Sequence, residues 1–219
     1  MRYYVSFILM LVSGMTIAQP NANLGVFAGT AYYMGDINPS RHFYRPKISY
    51  GVLYRFNINT RYSLRANAYV ADLSGNDLDF PERLHPDRPY SPARFSTSVL
   101  ELALQVEFNF LPYTPTIGKW AYTPYISTGI AGGFIMGSTV DAQNHLSFPL
   151  GIGMKLNLTS RLSAGAEWSF RKAFYDGIDG LENPSGKKSL IHNNDWYSFA
   201  GIFITFKFFN FVADCPAYN

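Results

Sequence analysis

Residues 161–171 read RLSAGAEWSFR. Side chains of an extended chain point to alternate faces, with a period of two. Leu162, Ala164, Ala166, Trp168 and Phe170 therefore share one face, and Arg161, Ser163, Gly165, Glu167, Ser169 and Arg171 share the other. Residues 98–110, SVLELALQVEFNF, repeat the pattern. There Leu100, Leu102, Leu104, Val106, Phe108 and Phe110 oppose Glu101, Gln105, Glu107 and Asn109. Strands of soluble sheets usually run about five or six residues, whereas crossing a bilayer takes about 9–11. One apolar face and one polar face kept up over that length is the signature of a strand with lipid on one side and a lumen on the other.

Working outward, the pattern recurs at about 24–33, 47–57, 61–71, 97–110, 121–135, 147–158, 161–172 and 195–208, with short and long connections taking turns. It predicts an all-β fold, a closed up-and-down antiparallel transmembrane β-barrel of about eight strands. The short turns fall near residues 57–60 and 158–161, with a longer middle turn at 111–120. The long connections, 34–46, 72–96, 136–146 and 173–194, are rich in Pro, Gly, Asp and Asn and read as solvated loops. An even strand number puts both termini on one side, expected to be the periplasm. The competing fold is a soluble antiparallel sandwich or a lipocalin-like barrel, against which the long Leu/Val/Phe faces argue.

Composition fits the barrel. Apolar residues make up only 47% of the chain, but aromatics reach 17%, with 16 Tyr and 18 Phe. Half of each strand need not face lipid, and two interfacial girdles need aromatic residues. Arg2, the apolar stretch 5–17 and the Thr16-Ile17-Ala18 cleavage site predict a signal peptide over 1–18. No cysteine lies near that site to carry a lipid anchor. The expected domains are the signal peptide, a barrel over 19–208 and a periplasmic tail over 209–219. The rest of the chain has no run of 18 apolar residues, so no transmembrane helix is expected. A formal charge of +3 without a basic, aromatic-interleaved patch excludes nucleic acid as the natural partner.

Ten polar residues fall on predicted inner faces: Arg55, Arg65, Glu101, Glu107, Lys155, Asn157, Arg161, Glu167, Arg171 and Lys207. An eight-stranded barrel is about wide enough to be filled by its own side chains. Buried charges must be paired, so the expected arrangement is a salt-bridged plug rather than an ion or proton path. Six glycines inside strands, Gly129, Gly132, Gly133, Gly151, Gly153 and Gly165, are expected to relieve crowding in the lumen.

Little points to chemistry. His42, His85, His145 and His192 fall in predicted loops, and no Gly-x-Ser-x-Gly or His-Glu-x-x-His signature is present. No enzyme and no cofactor are expected. Asp72, Asn76, Asp77 and Asp79 have oxygen ligands at close spacing but lack the EF-hand pattern, and Asp176–Gly180 is weaker still, so no metal is assigned. In the tail, Phe211, Cys215, Pro216 and Tyr218 are candidates for partner contact. Cys215 is the single cysteine and has no mate within the chain. It reads either as available for an intermolecular disulfide or as a small side chain tucked against the rim.

A series of short stretches carries a family resemblance. It runs from Tyr33-Met34-Gly35-Asp36 through Arg94-Phe95 into ELALQVEFNFLPY at 101–113. Thr123-Pro124-Tyr125 with its glycine-rich strand follows, then FPLGIGMK at 148–155, residues 167–179, Asp195-Trp196-Tyr197 and Cys215-Pro216-Ala217-Tyr218. In this order they resemble the DUF6089-type outer-membrane β-barrels, whose named member is PorG of the type IX secretion system. The resemblance implies a non-enzymatic outer-membrane component of that secretion machine. Its implied partners are outer-membrane lipid and the periplasmic ring, built from a PorK/GldK-like lipoprotein and a PorN/GldN-like protein. The alternative function is a free-standing small barrel acting as anchor, adhesin or minor solute channel.

Overall fold

Eight antiparallel strands form one sheet whose last strand pairs with its first. They are β1 (Asn21–Met34), β2 (Lys47–Asn57), β3 (Tyr62–Asn76), β4 (Arg94–Asn109), β5 (Tyr122–Met136), β6 (Asn144–Asn157), β7 (Leu162–Ala173) and β8 (Trp196–Lys207). Each pairs with its sequence neighbour, and β1 closes the barrel on β8 from Asn23↔Lys207 to Met34↔Trp196. Closure leaves no open edge and pairs backbone groups between strands, the condition for crossing hydrocarbon with β-structure. This computed structural model describes residues 21–35, 38, 41–76, 79, 94–113, 122–136, 144–174, 178 and 195–207. The predicted signal peptide and the tail residues Phe211, Cys215, Pro216 and Tyr218 lie outside them.

The two tight turns close through side chains. Asn59 Oδ1 accepts from the backbone N–H groups of Arg61 and Tyr62, both at 2.8 Å. Thr159 Oγ1 accepts from Arg161 and Leu162 at 3.2 and 2.9 Å. Such local bonds are why Asn and Thr favour turns. These turns, the β4–β5 turn and both strand termini mark one end, the turn rim. The long connections mark the other, the loop rim.

The register sorts the faces. Leu102, Leu104, Val106, Ile130, Leu146, Ile152, Ile202 and Ile204 are exposed on the outer wall, while Glu101, Glu107, Arg55, Arg65 and Lys155 are buried inside. Leu104 is 62% exposed and Glu107 0%. Exposed aromatic residues border the belt: Tyr54, Tyr62, Phe110 and Tyr122 toward the turn rim, Phe43 and Phe134 toward the loop rim. An apolar wall bounded by two aromatic girdles is a lipid-facing surface.

Several strand ends differ from the sequence expectation. β1 begins at Asn21, and the β3–β4 ladder continues to Asn76↔Arg94. Residues 72–76 and 94–96 read as loop because polar and small residues replace the apolar face above the lipid belt. Gly132 points outward, where a Cβ would make only an ordinary 3.8 Å contact with the Phe134 ring, and so does nothing for the lumen. Pro149 offers no N–H, and the β5–β6 pairing breaks beside it, between Thr128↔Leu150 and Ala131↔Ser147.

Candidate functional site: the charged lumen and its rims

Side chains from seven strands, β2 to β8, meet in the lumen in layers. Nearest the turn rim, the Glu107 carboxylate of β4 takes three cations. Arg55 donates to it from Nε at 2.8 Å, Lys155 Nζ lies at 2.5 Å, and Arg65 Nη1 at 3.1 Å. Lys155 also donates to Asn109 at 2.9 Å and sits 4.4 Å from the Tyr125 ring centroid. In the next layer Arg65 bridges Glu107 to Glu167, also binding Gln105, and Tyr125 Oη donates to Glu167 at 2.6 Å. Toward the loop rim, Arg171 Nε donates to Glu101 at 2.8 Å, and Tyr197 Oη to the same carboxylate at 2.8 Å. Arg55 and Arg171 lie over the faces of Phe203 and Phe199. Each carboxylate thus has charge-assisted partners, which offsets the several kcal/mol of desolvation an isolated buried ion would carry.

Glycine makes room for this packing. A Cβ on Gly153 would stand 2.6 Å from both the Tyr125 ring and the Ala166 carbonyl. One on Gly133 would stand 2.3 Å from the His145 ring.

The predicted inner residues divide as follows. Arg55, Arg65, Glu101, Glu107, Lys155, Glu167 and Arg171 share the ion-pair layers. Asn157 and Lys207 lie apart from them at the turn rim, 3.4 Å from each other. Arg161 does not join: β7 begins one residue later, so Arg161 sits exposed in the turn. Sequence reading missed Tyr113. It enters the mouth from the β4–β5 turn and donates to Asn157 Oδ1 at 2.5 Å. An aromatic residue beyond a strand's end gives no periodic signal of where it will point. His145, expected in a loop, is buried inside β6 beside Tyr197, since β6 starts at Asn144.

Apolar side chains pack together toward the loop rim. Tyr33, Phe95, Val99, Ile135, Ile178 and Tyr197 belong to one buried cluster. Asp195 fastens it, accepting from Tyr33 Oη at 2.5 Å and from the Ile178 N–H at 2.9 Å. On the outer wall, His42 and Phe43 fold back against Tyr32 and Trp168. Trp168 Nε1 donates to Tyr32 Oη at 3.0 Å and to Ser198 Oγ at 3.1 Å. Phe43 and Arg45 turn the chain with positive φ of 56° and 44°.

Of the acidic cluster weighed for calcium, Asp77 lies outside the described residues. Asp72 accepts from Ser98 at 2.6 Å, and Asp79 is held by Tyr44 and Arg45, both at 2.7 Å. The Tyr44 hydroxyl and Arg45 guanidinium keep the Asp79 carboxyl below the usual carboxylate range. Burial, followed by the bond to Asp79, pushes the Tyr44 phenol up. His85 and His192 also lie outside the described residues.

With the lumen occupied by its own side chains and the wall apolar, comparison with known proteins gives the family. The profile of a domain of unknown function, DUF6089, matches residues 1–217. The chain belongs to the DUF6089 family. No curated protein matches it. Among solved structures, this DUF6089 barrel is similar to Neisserial surface protein A, at 11% identity and a TM-score of 0.50, covering 86% of this chain and 97% of that one. It is also similar to the outer membrane protein OprG of Pseudomonas aeruginosa, at 10% identity and a TM-score of 0.50, covering 87% and 98%. The N-terminal β-barrel domain of Pseudomonas aeruginosa OprF matches at 17% identity and a TM-score of 0.46, covering 86% and 100%. The DUF6089 barrel shares its fold with Neisserial surface protein A and with OprG.

Proposed function

We propose that this DUF6089 barrel is a non-enzymatic outer-membrane component of a protein secretion machine of the type IX, PorG-like kind. Both termini lie in the periplasm, and the turn rim contacts the periplasmic ring of PorK/GldK-like and PorN/GldN-like proteins. The carrying observation is the filled lumen: buried ion pairs span it, so the barrel works through its wall and rims rather than as a conduit. The ordered series of motifs shared with the PorG-containing family supports the secretion role. The tail residues Phe211, Cys215, Pro216 and Tyr218 follow β8 in the sequence and include aromatic side chains of the kind that anchor interfaces.

Affinity purification of the tagged protein from native outer membrane tests the reading. Recovery of the ring proteins is expected, with weaker recovery after deletion of residues 214–219. A disulfide through Cys215 would appear as a higher-mass species on non-reducing gels that is lost in Cys215→Ala. The alternative is a free-standing anchor, adhesin or minor channel, in keeping with the fold shared with a Neisserial surface protein. Purification of the barrel without ring proteins would favour it.

A further inference from the structure

Among the described residues, the turn-rim half of the lumen holds more positive charge than its carboxylates neutralise. Arg55, Arg65, Lys155 and Lys207 face, among the described residues, only Glu107 and Glu167 there. Glu107 and Glu167 are engaged by the first three cations. Lys207 is left over. It is 6% exposed, its side chain reaches Asn157 at 3.4 Å, and among the described residues no carboxylate lies within ion-pair distance. That Asn157 oxygen already accepts from Tyr113 at 2.5 Å and Ser163 at 2.9 Å, which leaves the ammonium a poor share of it.

Two further donors stand beside it. Asn23 is the cross-strand partner of Lys207 on β1, and Thr205 precedes it by two on the same face of β8. Asn23 is 1% exposed, and neither its amide nitrogen nor its amide oxygen has a partner; the Thr205 hydroxyl has none either. Buried polar groups in native proteins are overwhelmingly bonded, so several orphans around an uncompensated cation mark a place for a ligand.

We propose that this mouth is a carboxylate-binding site. The Lys207 ammonium supplies the charge, and the Asn23 amide and the Thr205 hydroxyl supply the remaining hydrogen bonds. One ammonium and two neutral donors match a single negative charge with several lone pairs. The site does not depend on the secretion role. Its carboxylate comes either from a free organic acid or from Asp214, the one acidic side chain after Lys207 in the sequence.

The test is acetate titration of the purified full-length barrel in detergent micelles at constant ionic strength, read by the side-chain NMR resonance of isotope-labelled Lys207. The resonance is assigned by its loss in Lys207→Met, and each variant's fold is checked by heat-modifiable gel migration. A saturable shift is expected, with affinity about tenfold weaker in Asn23→Ala and in Thr205→Val, as loss of a hydrogen bond to a charged group predicts. Equal saturation in wild type and Asp214→Asn identifies an external acid as the occupant. Saturation only in Asp214→Asn identifies Asp214. The site is refuted if neither form shows a saturable shift, if chloride produces the same one, or if both pocket variants bind acetate like wild type.

Discussion

The Glu107 carboxylate lies 2.5 Å from the Lys155 ammonium, although β5 separates their strands. The contact therefore crosses the lumen rather than a strand pair. The same carboxylate takes Arg55 and Arg65, so one acidic side chain on β4 ties together β2, β3 and β6.

Replacing Glu107 by Gln strands these cations in a buried layer. Removing one partner of a buried ion pair costs about 3–5 kcal/mol. Urea unfolding of the barrel reconstituted in lipid vesicles should show a loss of that order for Glu107→Gln. Adding Arg55→Met should recover part of it, because it removes one of the uncompensated charges. Additive losses in the double variant would mean the two residues do not interact.

The outer wall gives the opposite sensitivity. Leu104→Arg should cost roughly 2–4 kcal/mol in the same assay if it sits near the bilayer midplane, as charged lipid-facing substitutions do. Spin labels at 102 and 104 should be relaxed by an apolar probe, and one at 107 should not.

Gly153→Val should destabilise the fold without adding any charge. Its first side-chain atom would meet Tyr125 and a backbone carbonyl at 2.6 Å. Overpacking of this kind costs typically 1–3 kcal/mol. Thermal unfolding read by gel migration should show a lower midpoint than wild type.

With ion pairs across the lumen and an apolar cluster under the loops, the purified protein should show no large, stable conductance in planar bilayers. Glu101→Ala, which removes the partner of both Arg171 and Tyr197, is the variant in which leakage should first be measurable.

At the loop rim, Asp79 links the β1–β2 connection to the β3–β4 connection through Tyr44 and Arg45. Its carboxyl is held below the usual range. The link is therefore fully present above the unfolded carboxylate value of about 3.9 and is lost as pH falls through the lower folded value. Both side chains of the ion pair are partly exposed, so salt should weaken it as well. Limited proteolysis of this rim should accelerate in strong acid and in Asp79→Asn at neutral pH, with neither change unfolding the barrel.

How much of this was legible beforehand follows from the range of each interaction. Strand alternation is local, and two residues suffice to define it. Glu101 and Glu107 could be assigned inward, and Leu104 outward, from their own neighbours. The closed barrel followed from repetition of that pattern, since an apolar face of spanning length has no other stable home. The ends of strands were less legible. Beyond the lipid belt at either end the apolar alternation no longer marks a strand's limits, so Asp72 and His145 at the loop rim read as loop, and Arg161 at the turn rim read as strand.

Only the tertiary structure decided which charges meet. Glu107 finds Lys155 and Glu101 finds Arg171 across the lumen because closure fixes the stagger of every strand against the others. No local window of sequence carries that stagger. The same holds for Tyr113, which a turn delivers into the mouth, and for Lys207, which has no carboxylate within ion-pair distance among the described residues. Sequence determined that these residues would be buried in a lumen, through a period of two and the demands of lipid. Their partners were decided by the geometry of closure.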